Sequence, residues 1–297
     1  MINTNEQTKI NQAIKYMLLS SFLFAFTGGF AKELSQHISS IEVVFFRNIS
    51  GVAIILFAIY KSPLKQSGGK PLLLFARGFI GFSALLMYFY NIAHIPLAEA
   101  MTFNKISPIF TALFSYFLLK EQLSKIAWIG VFIGFIGVLF ITGFDISSLD
   151  KTDYLGIFSG IGAGLAYTSI RELRKYYDNK AIVLSFMLVG TAGPIILMII
   201  GEFYNSPSLD WIIAPFMMPH GIAWAYIIGL GIFATLSQLS MTKAYSLAAG
   251  GVVGTISYTN ILFSIIIGIL LGDVFPNEMI IIGICFIIIS GILVTKK

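Results

Sequence analysis

Residues 95–138 read IPLAEAMTFNKISPIFTALFSYFLLKEQLSKIAWIGVFIGFIGV, and residues 247–291 read LAAGGVVGTISYTNILFSIIIGILLGDVFPNEMIIIGICFIIISG. Each begins in a short small-residue turn and runs through a long apolar span to an acid, Glu121 or Asp273. A few polar residues follow, then a glycine-bearing final span. The chain is therefore duplicated. The echo extends upstream, where Ala25-Phe26-Thr27 and Lys32-Glu33-Leu34 match Ala166-Tyr167-Thr168 and Arg171-Glu172-Leu173. Gly28-Gly29 are two extra residues in the first copy.

Outward from this pair, apolar stretches fall near 13–34, 41–60, 72–94, 97–119, 126–144, 153–172, 181–202, 221–243, 249–272 and 277–295. A membrane-spanning helix needs roughly 20 apolar residues, so ten spans are expected. Five spans carry a chain across the bilayer, so the second copy starts on the opposite side and sits upside down. The expected fold is an all-α integral membrane protein of two inverted five-helix repeats, 1–144 and 153–295. Secondary transporters are commonly built this way, with substrate held at mid-depth between the halves.

Composition excludes the main alternative. Of 297 residues, 57% are hydrophobic and 11% charged, with a mean hydropathy of +0.88. A soluble domain of this size needs far more charge on its surface. The longest polar break, 205–220, contains Trp211, Phe216 and Met217, which suits a segment lying on the membrane surface. The single cysteine, Cys285, is expected as a small core residue, and no Cys/His cluster suggests a metal or cofactor. The first apolar run is long and lacks a small-x-small cleavage site, which reads as an uncleaved span rather than a signal peptide.

The net charge of +5 is a matter of topology. With the N-terminus inside, one side collects Lys9, Lys15, Lys61, Lys65, Lys70, Arg77, Lys120, Lys125, Arg171, Arg174, Lys175, Lys180, Lys243, Lys296 and Lys297. The other keeps Lys32 and Lys151 beside Glu33, Asp145, Asp150, Asp153, Glu202, Asp210 and Glu278. The positive-inside bias then puts both termini in the cytoplasm, and the expected location is the inner membrane. Nucleic-acid binding is not needed to explain the basic pI.

At this point the chain resembles the drug/metabolite transporter superfamily, and within it the EamA-type permeases. The resemblance rests on the duplicated five-span unit, on Phe45-Phe46-Arg47-Asn48 early in span two, and on LLKEQLSKIAWIGVFIGFIGV at 118–138. It implies a basket of ten helices whose early and middle spans line a central cavity, with spans five and ten packing at the periphery. Two positions depart from the pattern. Asp273 stands where glutamate is usual, and Asn260 stands where the first half has Pro108, so the proline kink of span four has no counterpart in span nine.

Arg47 and Lys105 are the cations that fall well inside spans. A charge at mid-span costs about 2.5–3.5 kcal/mol on insertion scales, so such groups face a cavity and have a task or a partner. Glu42 and Glu99, near the tops of the same spans, are the available structural partners. Pro108 leaves the carbonyl of Asn104 without its helical donor, which adds an acceptor beside the Asn104 amide and the Lys105 ammonium. An offset of 152 residues maps Lys105, Pro108 and Ala112 onto Ser257, Asn260 and Ser264, matching polar stripes suited to a mid-membrane site. The serines could equally bond back to their own helix. Gln238, with Thr235 and Thr242, lies on one face of span eight; Tyr88 and Asn91 come from span three, and Tyr167 and Tyr258 are aromatic candidates at similar depth.

Gly130/Gly134, Gly156/Gly160, Gly160/Gly164, Gly250/Gly254 and Gly268/Gly272 have small-xxx-small spacing. Helix packing is their first reading and a homodimer seam the second. Glu121 and Asp273 precede spans five and ten, where an acid favours the helix N-terminus. No nucleophile elbow, phosphate loop or metalloprotease motif appears. The functional expectation is a secondary carrier for a small anionic or zwitterionic metabolite, amino-acid-like or nucleoside-like. A membrane-embedded lipid-modifying enzyme and a passive pore are the rivals; the first would need convergent acids or histidines, and His37, His94 and His220 are scattered. A reporter fused after Lys297 or inserted within 61–70 should read cytoplasm, and one inserted near 145–153 should read the outside. A periplasmic signal at Lys297 would overturn the ten-span count.

Overall fold

A computed structural model describes residues 4–65, 68–120, 124–141, 149–204, 206–248 and 250–294. Glu121, Asp145, Asn205, Lys296 and Lys297 lie outside the described residues. The regular elements among them are twelve α-helices: α1 (Thr4–Leu34), α2 (Ser40–Lys61), α3 (Pro71–His94), α4 (Leu97–Asn104), α5 (Ser107–Leu119), α6 (Lys125–Ile141), α7 (Lys151–Leu173), α8 (Asn179–Phe203), α9 (Ala223–Leu247), α10 (Gly250–Ser257), α11 (Thr259–Leu270) and α12 (Glu278–Val294).

The helix starts follow from local chemistry. Ser39 and Glu42 form a capping box at α2, and Asp150 and Asp153 form one at α7, each satisfying amides that a helix N-terminus leaves without partners. Pro71 opens α3, where its missing N–H costs nothing. The helix α1 begins at Thr4, well before the apolar run that starts near residue 13. Five helices, α1, α2, α3, α8 and α9, are each long and apolar enough to cross a membrane. Phe57, Tyr60, Phe75, Phe203 and Leu270 are all more than half exposed; in water such a surface would aggregate, whereas in a bilayer it faces lipid.

Span four is not continuous. It breaks at Lys105–Ile106, just before Pro108, which takes the second position of α5. A proline further inside a helix removes a backbone hydrogen bond and clashes with the preceding turn. Span nine also breaks, at Tyr258, without a proline. Here Ser257 Oγ donates to the carbonyl of Gly254 and Thr259 Oγ1 to that of Ile256. Hydroxyls that bond back to their own helix in this way bend it. The Asn260 amide donates to the Ser21 carbonyl on α1, tying the second break to a neighbour.

Contacts come in matched sets when α1–α6 are exchanged for α7–α12. The pairing α1–α9 matches α3–α7, α5–α7 matches α1–α11, and α3–α8 matches α2–α9; α2–α8 and α6–α12 map onto themselves. The main core joins α1, α2, α3, α8 and α9 through Leu34, Ile55, Phe89, Met187 and Leu230. A second core joins the broken spans to α6 and α12 through Phe103, Ile106, Ile261 and Ile287. The small-residue spacing is used within the chain: Gly134 faces Ile109 and Ser290, Gly137 faces Gly283, and Gly156, Gly160 and Gly164 receive Phe103, Ile106 and Phe110. Cys285 is exposed rather than buried, because α12 turns only one face to α6 and the cysteine lies on the other.

Polar contacts tie both ends of the bundle. At one end Lys32 pairs with Asp273 and donates to the carbonyl of Ile95, and the other oxygen of Asp273 accepts the Leu97 amide at 2.8 Å. Asp273 thus satisfies the N-terminus of α4 rather than that of α12. At the same end Lys151 pairs with Asp210, and Glu42 accepts the Met217 amide. At the opposite end Glu172 binds Lys70 and Lys175, Asp178 accepts the Lys65 amide, and Lys180 donates to the carbonyls of Ala58 and Ser62. The Glu172 contact holds the Lys70 ammonium above its usual pKa. That contribution is present below the ordinary lysine pKa and is lost as pH rises through the raised value.

A methyl group on Gly160 would lie 2.8 Å from the Phe103 carbonyl oxygen and 3.1 Å from Ile106, whereas one on Gly68 meets nothing within 4 Å. Gly160→Ala should therefore cost about 1–3 kcal/mol and Gly68→Ala essentially nothing, read as thermal unfolding in detergent.

Candidate functional site: a cationic cavity

A cavity lies inside the bundle, lined from α1 by Met17, Ser20, Ser21 and Phe24, from α2 by Arg47, and from α3 by Arg77, Gly81, Ala84, Leu85 and Tyr88. The helix break contributes Asn104 and Lys105, α7 contributes Ala163, Ala166 and Tyr167, α8 contributes Phe186, and α9 contributes Ser237, Gln238 and Met241. Among the described residues three cations and no carboxylate face this space.

All three are buried, at 1% exposure for Arg47, 2% for Arg77 and 6% for Lys105. Both guanidinium groups lie over the Phe186 ring, Arg47 at 5.2 Å and Arg77 at 4.5 Å from its centroid. Such contacts supply part of what lost hydration removes. Arg47 also donates from Nη1 to the Asn48 side-chain oxygen at 2.8 Å. The Lys105 ammonium lies 5.9 Å from the centroid of Phe24, whose ring stacks on Tyr88. The Nε of Arg47, the Nε and Nη1 of Arg77, the Nε2 of Gln238 and the Ser21 hydroxyl have no partner. Buried polar atoms are normally satisfied, so an unpaired set converging on one cavity is a feature to explain.

The structural partners available in the sequence are not the ones used. Among the described residues neither arginine nor Lys105 forms an ion pair. The Glu42 carboxylate is taken by Ser39 and Met217. Lys105 can reach inward because the chain turns at this residue. It caps α4, its own N–H bonding the carbonyls of Met101 and Thr102, and the glycine face of α7 lets the turn pack closely.

Arg77 corrects the reading of the charges. It counts among the basic residues of one membrane side by position, yet it is buried in the cavity wall. It sits seven residues into α3, about 9 Å along at 1.5 Å per residue, and that depth was the available signal. Phe186 had no signal in the sequence. A second, largely apolar cavity between α3, α5 and α7, lined by Leu73, Ile80, Leu118 and Leu165, shares Arg77 with the first. Its wall also carries Thr168, Ser169 and Glu172, and the Glu172 carboxylate is held by Lys70 and Lys175 at the end of the bundle.

Of the sequence candidates, Arg47, Tyr88, Asn104, Lys105, Tyr167 and Gln238 meet at the cavity. Asn91, Ser257, Tyr258 and Asn260 are not among its lining residues. Asn91 donates to the Thr152 carbonyl and so joins the end of α3 to the start of α7. Tyr258 packs against Gly291. Asn260 reaches Ser21, which does line the cavity. The second-half polar stripe lies behind α1, which stands between α11 and the cavity.

Apolar, lipid-facing helices around an internal cavity that carries three cations mark a multi-pass membrane protein. The chain belongs to the EamA-like transporter family, which it matches over residues 11–143 and 150–296. It is 34% identical to an uncharacterized transporter of Helicobacter pylori, over 95% of this chain and 93% of that one. It is 28% identical to the pseudopaline exporter CntI of Pseudomonas aeruginosa over 97% of each, and 23% identical to an S-adenosylmethionine uptake transporter of Rickettsia prowazekii over 97% and 93%. A crystal structure with 18% sequence identity aligns over 98% of this chain and 97% of that one with a TM-score of 0.65, a likeness of fold. Family membership makes the chain a transporter of a small molecule rather than an enzyme.

Because Lys105 has no acidic partner, removing its charge should relieve the fold. Lys105→Met is expected to raise stability by about 1–3 kcal/mol, and Glu99→Gln should add no rescue. A loss of stability in Lys105→Met that Glu99→Gln restores would show that the two are paired.

Proposed function

We propose that the protein is a secondary carrier of the inner membrane that moves a small anionic or zwitterionic metabolite by alternating access, with the cationic cavity as its binding site. The observation that carries the substrate reading is the convergence of Arg47, Arg77 and Lys105 on one cavity with no carboxylate in its wall. Amino-acid-like or nucleoside-like molecules fit a space that also offers the Phe24–Tyr88 stack and Tyr167. In this reading Lys105, Asn104, Arg47, Gln238, Tyr88 and Tyr167 touch substrate. Asn260, Ser257, Asn91 and Tyr258 hold the surrounding helices.

Alternating access draws support from the exchange of contacts between α1–α6 and α7–α12. Further support comes from helix direction. The start of α7 meets the end of α3 through Asn91 and Thr152, while the end of α7 meets the start of α3 through Glu172 and Lys70. These contacts make α7 antiparallel to α3, whereas α1 and α3, with α2 between them, run the same way. That is the relation expected of two inverted five-span units, with 1–144 and 153–295 rocking about the site and both termini in the cytoplasm. Polar ties at both ends favour a carrier over a passive pore.

Counterflow in proteoliposomes tests the proposal. Uptake of a labelled substrate should saturate and be accelerated by unlabelled substrate on the opposite side. Lys105→Met should lower apparent affinity ~10- to 100-fold, the loss of a charge-assisted hydrogen bond worth roughly 1.5–3 kcal/mol, and Asn260→Leu should weaken transport independently. Unchanged affinity and rate in a well-expressed Lys105→Met protein would remove Lys105 from the site.

A further inference from the structure

The cavity holds more positive charge than one carboxylate can balance, and its cations stand on different supports. Arg47 of α2 and Arg77 of α3 share one ring, Phe186 of α8. Lys105, at the break between α4 and α5, is placed instead over Phe24 of α1. The cavity therefore has a two-guanidinium pole and an ammonium pole, with Tyr88 and Tyr167 also in its wall.

The unpaired atoms share one character. Arg47 Nε, Arg77 Nε and Nη1, and Gln238 Nε2 are all donors that cannot accept, and Ser21 Oγ can donate as well. An occupant that satisfies them must bring acceptors. An arginine fork with free Nε and Nη positions matches the two oxygens of a carboxylate or a phosphate. A cationic occupant would leave every one of these donors unsatisfied and would add charge of the same sign. A zwitterion with a single carboxylate would fill one pole only.

We infer that the substrate is a small organic anion with at least two separated oxyanion groups, one bound by Arg47 and Arg77 beside Phe186 and the other by Lys105. The inference rests on the reading of this cavity as the transport site and narrows its substrate class. Arg77 becomes a specificity-determining residue, since it gives the guanidinium pole its second charge. Gln238 supplies a neutral donor to the same occupant.

Thermal stabilisation of the purified full chain in detergent, in a buffer free of phosphate and sulfate, tests this with defined probes. The panel is glutarate and citrate, butyrate as the single-carboxylate control, 3-phosphoglycerate as a carboxylate bearing a phosphate ester, inorganic sulfate, and S-adenosylmethionine. Apparent affinity for glutarate, citrate or 3-phosphoglycerate should exceed that for butyrate and sulfate at least tenfold, and the carboxylate and phosphate arms tell which oxyanion the poles prefer. Arg77→Gln should shrink the advantage of the two-group probes over butyrate to within about threefold. Lys105→Met should do the same from the other pole. The wild-type panel decides the matter even if Arg77→Gln fails to fold.

Butyrate or sulfate binding as tightly as the two-group anions, with Lys105→Met still weakening them, would overturn the inference and leave the site reading intact. Stabilisation by S-adenosylmethionine but by none of the anions would overturn both.

Discussion

A broken helix inside a membrane protein has to be surrounded by protein. Backbone groups freed at a break have no water to bond in the hydrocarbon region, so irregular backbone is tolerated only where it is buried or lines a cavity. Here the break at Lys105–Ile106 lies against α7, whose Gly160 brings the Phe103 carbonyl as close as a residue without a side chain permits. Thr111 and Thr168 strengthen the same contact, Thr111 Oγ1 donating to the carbonyls of Ser107 and Gly164, and Thr168 Oγ1 to those of Gly164 and Thr111. Without that close approach the turn could not be buried, and Lys105 would not reach the cavity.

The two breaks solve one problem by different chemistry. The first uses Pro108, the second uses back-bonding hydroxyls and the Asn260 amide on Ser21. The following turns also correspond. Lys120 after α5 has φ 55 and Gly272 after α11 has φ 92, at the repeat offset of 152 residues. A left-handed residue ends each broken span, and only the second copy fills that position with the residue that adopts it without cost. The difference extends to function, since the first break supplies a cation to the cavity and the second supplies a tether.

The cationic cavity follows from this framework. Helices α2, α3, α7, α8 and α9 enclose a space into which Arg47 and Arg77 project over Phe186, and α1 closes the side toward α11. Desolvating three positive charges together opposes folding, and the aromatic rings offset part of it. Among the described residues none of the three has a carboxylate partner within the protein, which is what the proposed anionic substrate would supply. The ties at the two ends use other residues, Lys32 with Asp273 and Lys70 with Glu172, none of which lines the cavity.

The apolar, helical character of the chain and its family were legible in the sequence because each is a property of linear pattern: run length and side-chain type. Arg47 and Lys105 were legible as candidates because a charge in an apolar run is conspicuous wherever the chain folds. Tertiary structure alone decided which polar residues meet. Arg77 reads as a loop-proximal basic residue until α3 is seen to begin at Pro71, and Phe186 is one aromatic residue among many until two guanidinium groups share its face. Ser257 and Asn260 occupy the repeat positions of Lys105 and Pro108, yet α1 intervenes between them and the cavity. Periodicity along one helix cannot specify which neighbour covers each face, because that depends on how the other helices pack around it.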